Sequence, residues 1–170
     1  MMVTEDFKKV AVSFAGGDGG NPNSDVWFCG LEWGIGDEAS PDDFYKKFSL
    51  SPKLIPHSWL EDDFDGSWTT QYNQKLCWFL WYYYNLDWKS GESYEYFVST
   101  YNVLYPQGIG FKLNMLPINF KNRSSIQWNE QFIKMTGFET FDEYREWCVE
   151  NRGAFYRQLI DECHPKVIIC

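Results

Sequence analysis

Short apolar runs alternate along the chain with stretches that repeat at a helical period. Three runs predict buried strands because nearly every position in them is apolar, and they lie at residues 26–31, 111–116 and 166–170. Between these runs, apolar residues recur at three- and four-residue steps, which predicts helices. Strands separated by helices predict an α/β fold, here a three-layer α/β/α arrangement with a short, mostly parallel central sheet.

Local signals predict where several helices begin. Thr4 is suited to an N-cap, residues 40–43 combine a serine cap with a first-turn proline and two acids, and Thr140 with Glu143 fits a capping box. The predicted helices lie at residues 4–16, 40–48, 70–84, 93–104, 126–135, 140–149 and 153–163. Loops are predicted at residues 16–23 and 119–125, and a long surface excursion at residues 49–68.

The domain organisation follows from what the sequence does not contain. No internal repeat, low-complexity tract or linker divides the 170 residues, so we expect a single α/β domain over residues 1–170. The last predicted strand has no loop after it, although such loops usually build the sites of parallel sheets. We therefore expect either a domain that is truncated at its C-terminal strand or a naturally short relative of a longer domain.

Composition and charge limit the function classes. Aromatic residues make up 20% of the chain and predict a core of large flat rings, and the net charge is -9. Because phosphate neutralisation supplies most non-specific affinity for DNA, this acidic balance argues against a general nucleic-acid binder. DNA remains a predicted partner only through a local basic patch, for which the available rim residues are Lys112, Lys121 and Arg123.

Cysteine usage predicts a reduced, cytoplasmic protein. The 5 cysteines form no C-x-x-C pair, and no secretory signal precedes them. Because His57 and His164 are the only histidines, no four-ligand zinc spacing can be drawn, and we predict neither a metal nor a cofactor. The ring-rich run at residues 78–84 is too short to cross a bilayer, so no membrane contact is expected, and the oligomeric state is not specified.

Two polar residues at the ends of the predicted strands are candidates for catalysis or ligand binding. Glu32 leaves the first strand on a turn flanked by Gly30 and Gly34, and Asn114 lies within the second strand before Pro117. Ligands of parallel sheets bind at the carboxyl ends of the strands, where a carboxylate and an amide would face the same hollow. The structural alternatives are an exposed loop acid at position 32 and a strand amide satisfied by the backbone at position 114.

A family resemblance appears at these residues. Residues 26–34, Val-Trp-Phe-Cys-Gly-Leu-Glu-Trp-Gly, resemble the first active-site motif of the uracil-DNA glycosylase superfamily, an apolar strand that runs into a glycine followed by an aspartate or asparagine and a proline. Residues 111–116 resemble the strand whose asparagine recognises the flipped uracil. Residues 152–170 are similar to the helix and strand that precede the last active-site loop of the family.

The resemblance implies a function and a set of roles. Glu32 would position or activate the hydrolytic water, and Asn114 would recognise the base. A flipped base also needs a ring to stack on, for which Trp33 is one nearby candidate among many aromatic residues. The substrate site would also include Gly30, Leu31 and Gly34. This sequence departs from the family in three ways. Glu32 replaces an aspartate or asparagine, Trp33 replaces a proline, and the final His- or Asn-containing loop is absent. The resemblance therefore implies a DNA glycosylase or an inactive remnant of one, with a non-catalytic binding protein on the same fold as the alternative.

Other templates fit less well. A small-molecule hydrolase with Glu32 as its base has no second residue to name. Residues 34–39 match the sequence pattern of a dinucleotide-binding loop, but they would place two acidic side chains against the negatively charged pyrophosphate. Cys163 and His164 are chain neighbours at a helix end, a poor geometry for a nucleophile and its base. The acids of residues 62–65 do not follow the calcium-loop pattern and predict a solvated face.

Overall fold

The computed structural model describes residues 2–16, 19–31, 56, 71–89, 92–118 and 128–170. In these residues the elements are, in chain order, α1 (Glu5–Ala11), β1 (Gly19–Gly20), β2 (Val26–Gly30), α2 (Gln71–Tyr83), α3 (Tyr94–Tyr101), β3 (Phe111–Asn114), α4 (Glu130–Thr136), α5 (Phe141–Cys163) and β4 (Val167–Ile169). The helix predicted at residues 40–48 and the loop predicted at 119–125 lie outside the described residues. So does the excursion at 49–68, apart from Pro56.

The strands form a mixed sheet in the order β1-β3-β2-β4. The strand β2 lies at its centre and pairs in parallel with both β3 and β4, which confirms the mostly parallel sheet. The short strand β1 is antiparallel to β3, with Gly19 opposite Lys112 and Gly20 opposite Phe111. It was not predicted, because two glycines carry no apolar signal and only the pairing with β3 defines them as a strand.

Helices cover both faces of the sheet, which confirms the three-layer α/β/α arrangement. Successive side chains of β2 point to opposite faces. Val26 and Phe28 join one buried cluster with residues of α2 and α3. Trp27 joins a second cluster with Phe111 and Leu113 of β3 and with residues of α5. A third cluster connects α1, α4 and α5.

The first helix is shorter than predicted. Thr4 caps α1 by accepting a hydrogen bond from the Phe7 backbone N–H at 3.3 Å, as predicted, and its hydroxyl also donates to the Met135 carbonyl at 2.6 Å. The helix ends at Ala11. Phe14 therefore lies in the following turn, where its ring packs edge-on against Phe111 with centroids 6.1 Å apart.

The last two predicted helices form one continuous helix, so the predicted break between residues 149 and 153 is wrong. The capping box at Thr140 and Glu143 opens α5 as predicted, and the helix then runs for 23 residues. A glycine inside a helix costs only about 1 kcal/mol relative to alanine. Gly153 is tolerated there because its neighbours Arg152 and Tyr156 are buried on the inner side of the helix.

The helix α4 starts later than predicted, at Glu130 rather than residue 126. Asn129 caps it, since its side-chain oxygen accepts hydrogen bonds from the backbone N–H groups of Gln131 and Phe132. Residues 126 and 127 lie outside the described part of the chain. No helix in the described ranges combines the length and apolar character needed to cross a membrane.

Candidate functional site

The carboxyl ends of β2 and β3 lie side by side, as the sequence predicts. Gly30 is directly opposite Asn114 in the parallel register. The pairing continues past β2, because the Met115 N–H donates to the Gly30 carbonyl at 2.9 Å and the Leu116 N–H donates to the Leu31 carbonyl at 2.7 Å. Glu32 is the next residue in the chain after Leu31.

Five of the predicted site residues lie outside the described part of the chain. The substrate-site residues Gly30 and Leu31, the base-recognising Asn114 and the rim residue Lys112 are described. The residues that are not described are Glu32, Trp33, Gly34, Lys121 and Arg123.

Asn114 is fully buried and packs against the end of β2. Its side-chain Nδ2 donates to the Gly16 carbonyl at 2.9 Å. Its Oδ1 lies so close to Gly30 that a Cβ at position 30 would overlap it. A glycine is therefore needed at position 30 for the Asn114 amide to lie over the neighbouring strand. In this conformation the Nδ2 group is hydrogen-bonded to the backbone, as the structural alternative for position 114 predicts.

The backbone of Asn114 is held by α5. The Asn114 carbonyl accepts a hydrogen bond from Arg152 Nε at 2.8 Å and another from the Tyr156 hydroxyl. The Arg152 guanidinium is fully buried and stands 5.0 Å from the centre of the Tyr156 ring. Its two terminal nitrogens donate to three further carbonyls, at 2.6 to 2.9 Å, on Ala11, Ser13 and Ala15. The planar five-donor fork of arginine suits carbonyls that converge from several directions.

Arg152 was not predicted as part of the site. The signal that could have identified it is its position at helical spacing between the buried Cys148 and Tyr156, which places a charge on the inner side of α5. A charged side chain on such a face must be hydrogen-bonded to be tolerated. The sequence alone does not say which carbonyls would accept its hydrogen bonds.

The turn after α1, residues 12–16, closes over the end of β3. It supplies two carbonyls to Arg152 and, through Gly16, the acceptor for the Asn114 amide. Gly16 has a φ of 95° and lies against Pro117, so that a Cβ would come within 2.6 Å of the Pro117 Cα. Only glycine combines this positive φ with such a close approach. The turn and the strand end therefore form one packed unit with α5.

Lys112 does not lie at an accessible rim. Its side chain is 8% exposed, and its Nζ stands 5.0 Å from the centre of the Tyr72 ring at the start of α2. The reason is strand alternation: Lys112 lies on the same side of β3 as Asn114, and α2 covers that side. Burial, with added repulsion from Cys29 and Cys170, raises the pKa of the Tyr72 hydroxyl to about 12.

The buried cysteines are poor nucleophiles. All five cysteines are thiols, and Cys77 and Cys148 are fully buried. Burial raises the pKa of each of these two thiols from 9.0 to about 12, which disfavours the reactive thiolate. Within the described ranges, no cluster of three His, Cys, Asp or Glu side chains could hold a metal ion.

Comparison with known proteins does not assign a family. No protein-family model, no curated protein and no solved structure matches the chain. The arrangement at the strand ends therefore has to be interpreted from its own chemistry. It offers a hydrogen-bonded backbone edge at Gly30 and Leu31 and a buried amide at Asn114. In the sequence, Glu32 follows Leu31 directly.

Proposed function

We propose that the carboxyl ends of β2 and β3 bind a nucleobase and that the chain hydrolyses the N-glycosidic bond of a flipped pyrimidine, in the manner of uracil-DNA glycosylases. The observation that carries the proposal is the register in which Gly30 faces Asn114 and Leu31 remains hydrogen-bonded to Leu116. This register brings the two segments that resemble the family's first motif and its asparagine strand to one edge of the sheet. Ligands of parallel sheets bind at that edge.

The proposed roles follow from the chemistry of the bond. Cleavage breaks the bond between the sugar C1′ and the base nitrogen, and the oxygen of one water molecule bonds to C1′ while a water proton ends on the departing base. The transition state resembles an oxocarbenium ion, so a carboxylate at Glu32 would stabilise positive charge and orient the water. The amide of Asn114 would offer one donor and one acceptor to the edge of the base, and Trp33 would stack on its face.

Asn114 must change its hydrogen bonds to take this role. Its Nδ2 now donates to the Gly16 carbonyl, so a base acceptor would replace Gly16 as its partner. The exchange retains one hydrogen bond to the amide and therefore costs less than burying the amide without a partner. The turn at residues 12–16 would have to release the Gly16 carbonyl and, with it, the hydrogen bonds from Arg152 to Ser13 and Ala15, whereas Arg152 Nε would keep the Asn114 backbone in place.

The direct test is cleavage of single-stranded oligonucleotides that contain one uracil. We expect the parent chain to release uracil and the Glu32→Gln variant to lose at least about a hundredfold in rate, the size of a typical general-base contribution. The matched control is Glu146→Gln, an exposed acid on α5, which should cleave at the parent rate. Equal rates for the parent and Glu32→Gln would reject the proposed role of Glu32.

A second function is favoured by a specific observation. Asn114 is fully buried and its amide already donates to a backbone carbonyl, as expected for a strand residue with a structural role. This arrangement favours a non-catalytic binding protein on the same α/β fold. In the cleavage assay, such a protein would bind the uracil strand, or a different partner, and release no base with the parent or with either variant.

A further inference from the structure

Two cysteines are neighbours at the carboxyl ends of β2 and β4. These strands pair in parallel, and the last pair in the register is Phe28 opposite Ile169. Continuing this register by one residue on each strand places Cys170 beside Cys29. Directly opposite residues of a parallel pair point to the same face of the sheet, so the two sulfur atoms face the same side.

The surroundings of the two side chains support this placement. Trp27 and Cys29 both pack with the buried cluster that includes residues of α5. Ile168 is opposite Trp27, and Cys170 lies two residues further along on the same side, where its thiol is exposed. Both cysteines are close enough to the Tyr72 hydroxyl for their charge to contribute, after burial, to raising its pKa to about 12. The two thiols therefore share one edge of the sheet.

The spacing of the strands suits a disulfide between these two residues. Neighbouring strands lie about 4.8 Å apart. The Cα atoms of a disulfide are usually about 4.4 to 6.8 Å apart, and its Cβ atoms are roughly 3.8 Å apart. Cys170 follows the last paired residue of an edge strand, so a small backbone shift there brings its Cβ to the distance that the bond requires.

The other cysteines lie where they cannot replace either member of this pair. Cys77 and Cys148 are fully buried. Cys163 is the last residue of α5 and precedes β4, so it lies toward the amino end of that strand. The carboxyl end, where Cys29 and Cys170 lie, is about 10 Å further along the strand, which exceeds the span of a disulfide.

We propose that Cys29 and Cys170 form a reversible disulfide when the chain reacts with a hydroperoxide. With hydrogen peroxide, the exposed Cys170 sulfur attacks one oxygen, the O–O bond breaks, one water molecule leaves and a sulfenic acid forms. The Cys29 sulfur then attacks the sulfenic sulfur, so that the S–S bond forms, the S–O bond breaks and a second water molecule leaves. The two thiols together lose two electrons and two protons, and a dithiol reductant reverses the reaction by exchange.

The disulfide links the edge strand β4 covalently to the central strand β2. It closes most of the chain into one loop, which restricts the unfolded state more than a short loop does. We expect the oxidised chain to melt at least about 5 °C above the reduced chain. The inference does not depend on the proposed function, because β4 and β3 lie on opposite sides of β2 and Asn114 belongs to β3.

The test treats the full, reduced chain with hydrogen peroxide, blocks the remaining thiols and maps cross-linked peptides by mass spectrometry without reductant. We expect each chain to lose two hydrogen atoms and to carry one cross-link, between Cys29 and Cys170. Cys163→Ser is the matched control, because Cys163 is half-buried like Cys29 and packs against the same cluster, and it should form the cross-link at the parent rate. Cys29→Ser should stop at the Cys170 sulfenic acid, which dimedone captures.

Oxidation of the urea-unfolded chain separates the effect of the fold from that of the chemistry. Loop closure in the unfolded chain favours Cys163 with Cys170, which are the closest cysteines in the sequence. The bond between Cys29 and Cys170 should dominate only in the folded chain. A folded chain that joins Cys163 to Cys170, that cross-links to a second copy, or whose Cys170 is oxidised without any cross-link overturns the proposal.

Discussion

At the scale of single residues, Arg152 connects the parts of the candidate site. Its guanidinium donates to the Asn114 carbonyl on β3 and to carbonyls of the chain that leaves α1, on Ala11, Ser13 and Ala15. All of these carbonyls are buried, so water cannot replace Arg152 as their hydrogen-bond donor. A buried acceptor that loses its donor costs about 1 to 3 kcal/mol.

Replacing Arg152 with methionine should therefore be strongly destabilising. We expect Arg152→Met to lower the free energy of unfolding by at least about 3 kcal/mol, because several carbonyls lose their donors together. Urea unfolding followed by tryptophan fluorescence measures this change. Arg157→Met, an exposed arginine on the same helix, is the control and should change stability by less than about 0.5 kcal/mol. Equal effects of the two substitutions would show that Arg152 does not hold the turn and the strand together.

The buried thiols predict how stability depends on pH. The fold raises the pKa of Cys77 and Cys148 from 9.0 to about 12, so it favours the neutral thiols. Their contribution to stability is present below the unfolded pKa and is lost as pH rises from about 9 toward 12. Within that window, each thiol can lower the free energy of unfolding by up to about 1.4 kcal/mol for every pH unit of increase.

The measurement compares urea unfolding at about pH 8 and about pH 10.5 under reducing conditions. The parent chain should lose stability between the two conditions, and the Cys77→Ala and Cys148→Ala variants should each lose less. Cys170→Ala removes an exposed thiol and should behave like the parent. A loss of stability as large in the two buried-thiol variants as in the parent would contradict the stated cause.

The sequence predicts some of these residue roles and not others. Asn114 and Gly30 could be placed at strand ends because an apolar run leads directly to each of them. The burial of Lys112 and the contact between Asn114 and Gly16 could not be predicted. Both depend on which face of β3 is covered and on the path of the turn after α1. That information exists only in the tertiary packing.

At the scale of secondary structure elements, the candidate site depends on the contact between β2 and β3. Gly30 and Asn114 are opposite each other, and a Cβ at position 30 would overlap the Asn114 side chain. We expect Gly30→Ala to destabilise the fold by about 1 to 3 kcal/mol, the usual cost of overpacking. Asn114→Ala should also destabilise it, since it removes the hydrogen bond to Gly16.

The double variant Gly30→Ala/Asn114→Ala should cost less than the sum of the single variants, by at least about 1 kcal/mol, because the new methyl group occupies the space that the amide vacates. Urea unfolding of the four proteins gives the coupling energy. Gly30→Ala combined with Thr136→Ala on α4 is the control pair and should be additive within about 0.5 kcal/mol. Additivity in the first pair would mean that the two strand ends are not in contact.

Element boundaries could be predicted where a local signal exists. The N-cap at Thr4 and the capping box at Thr140 can be predicted from the sequence alone, and both form in the structure. The strand β1 and the continuity of α5 could not be predicted, because a partner strand and a buried helix face override the local preference of glycine. Tertiary packing routinely overrides weak local propensities of this kind.

At the scale of the whole molecule, the three layers bring distant segments of the chain to one edge of the sheet. The alternation of strands and helices predicts the α/β class, but the strand order has to come from the structure. The central strand β2 has a parallel neighbour on each side, and its pairing extends to Phe28 with β4 and to Gly30 with β3. The proposed nucleobase site uses the side next to β3, where Asn114 lies.

The central claim is that a nucleobase contacts Asn114 at this edge of the sheet. The most direct measurement is a ¹⁵N NMR titration of the Glu32→Gln variant, which should leave the oligonucleotide intact, with a single strand containing one uracil. We predict that the Asn114 side-chain amide and the Leu31 backbone amide shift, while the Asn151 side-chain amide, bonded to the Trp147 carbonyl, does not. The same strand with an abasic site in place of the uridine should leave Asn114 unshifted. If the resonance of the Asn114 side-chain amide does not move at a saturating concentration of the uracil strand, the nucleobase does not bind at this edge of the sheet.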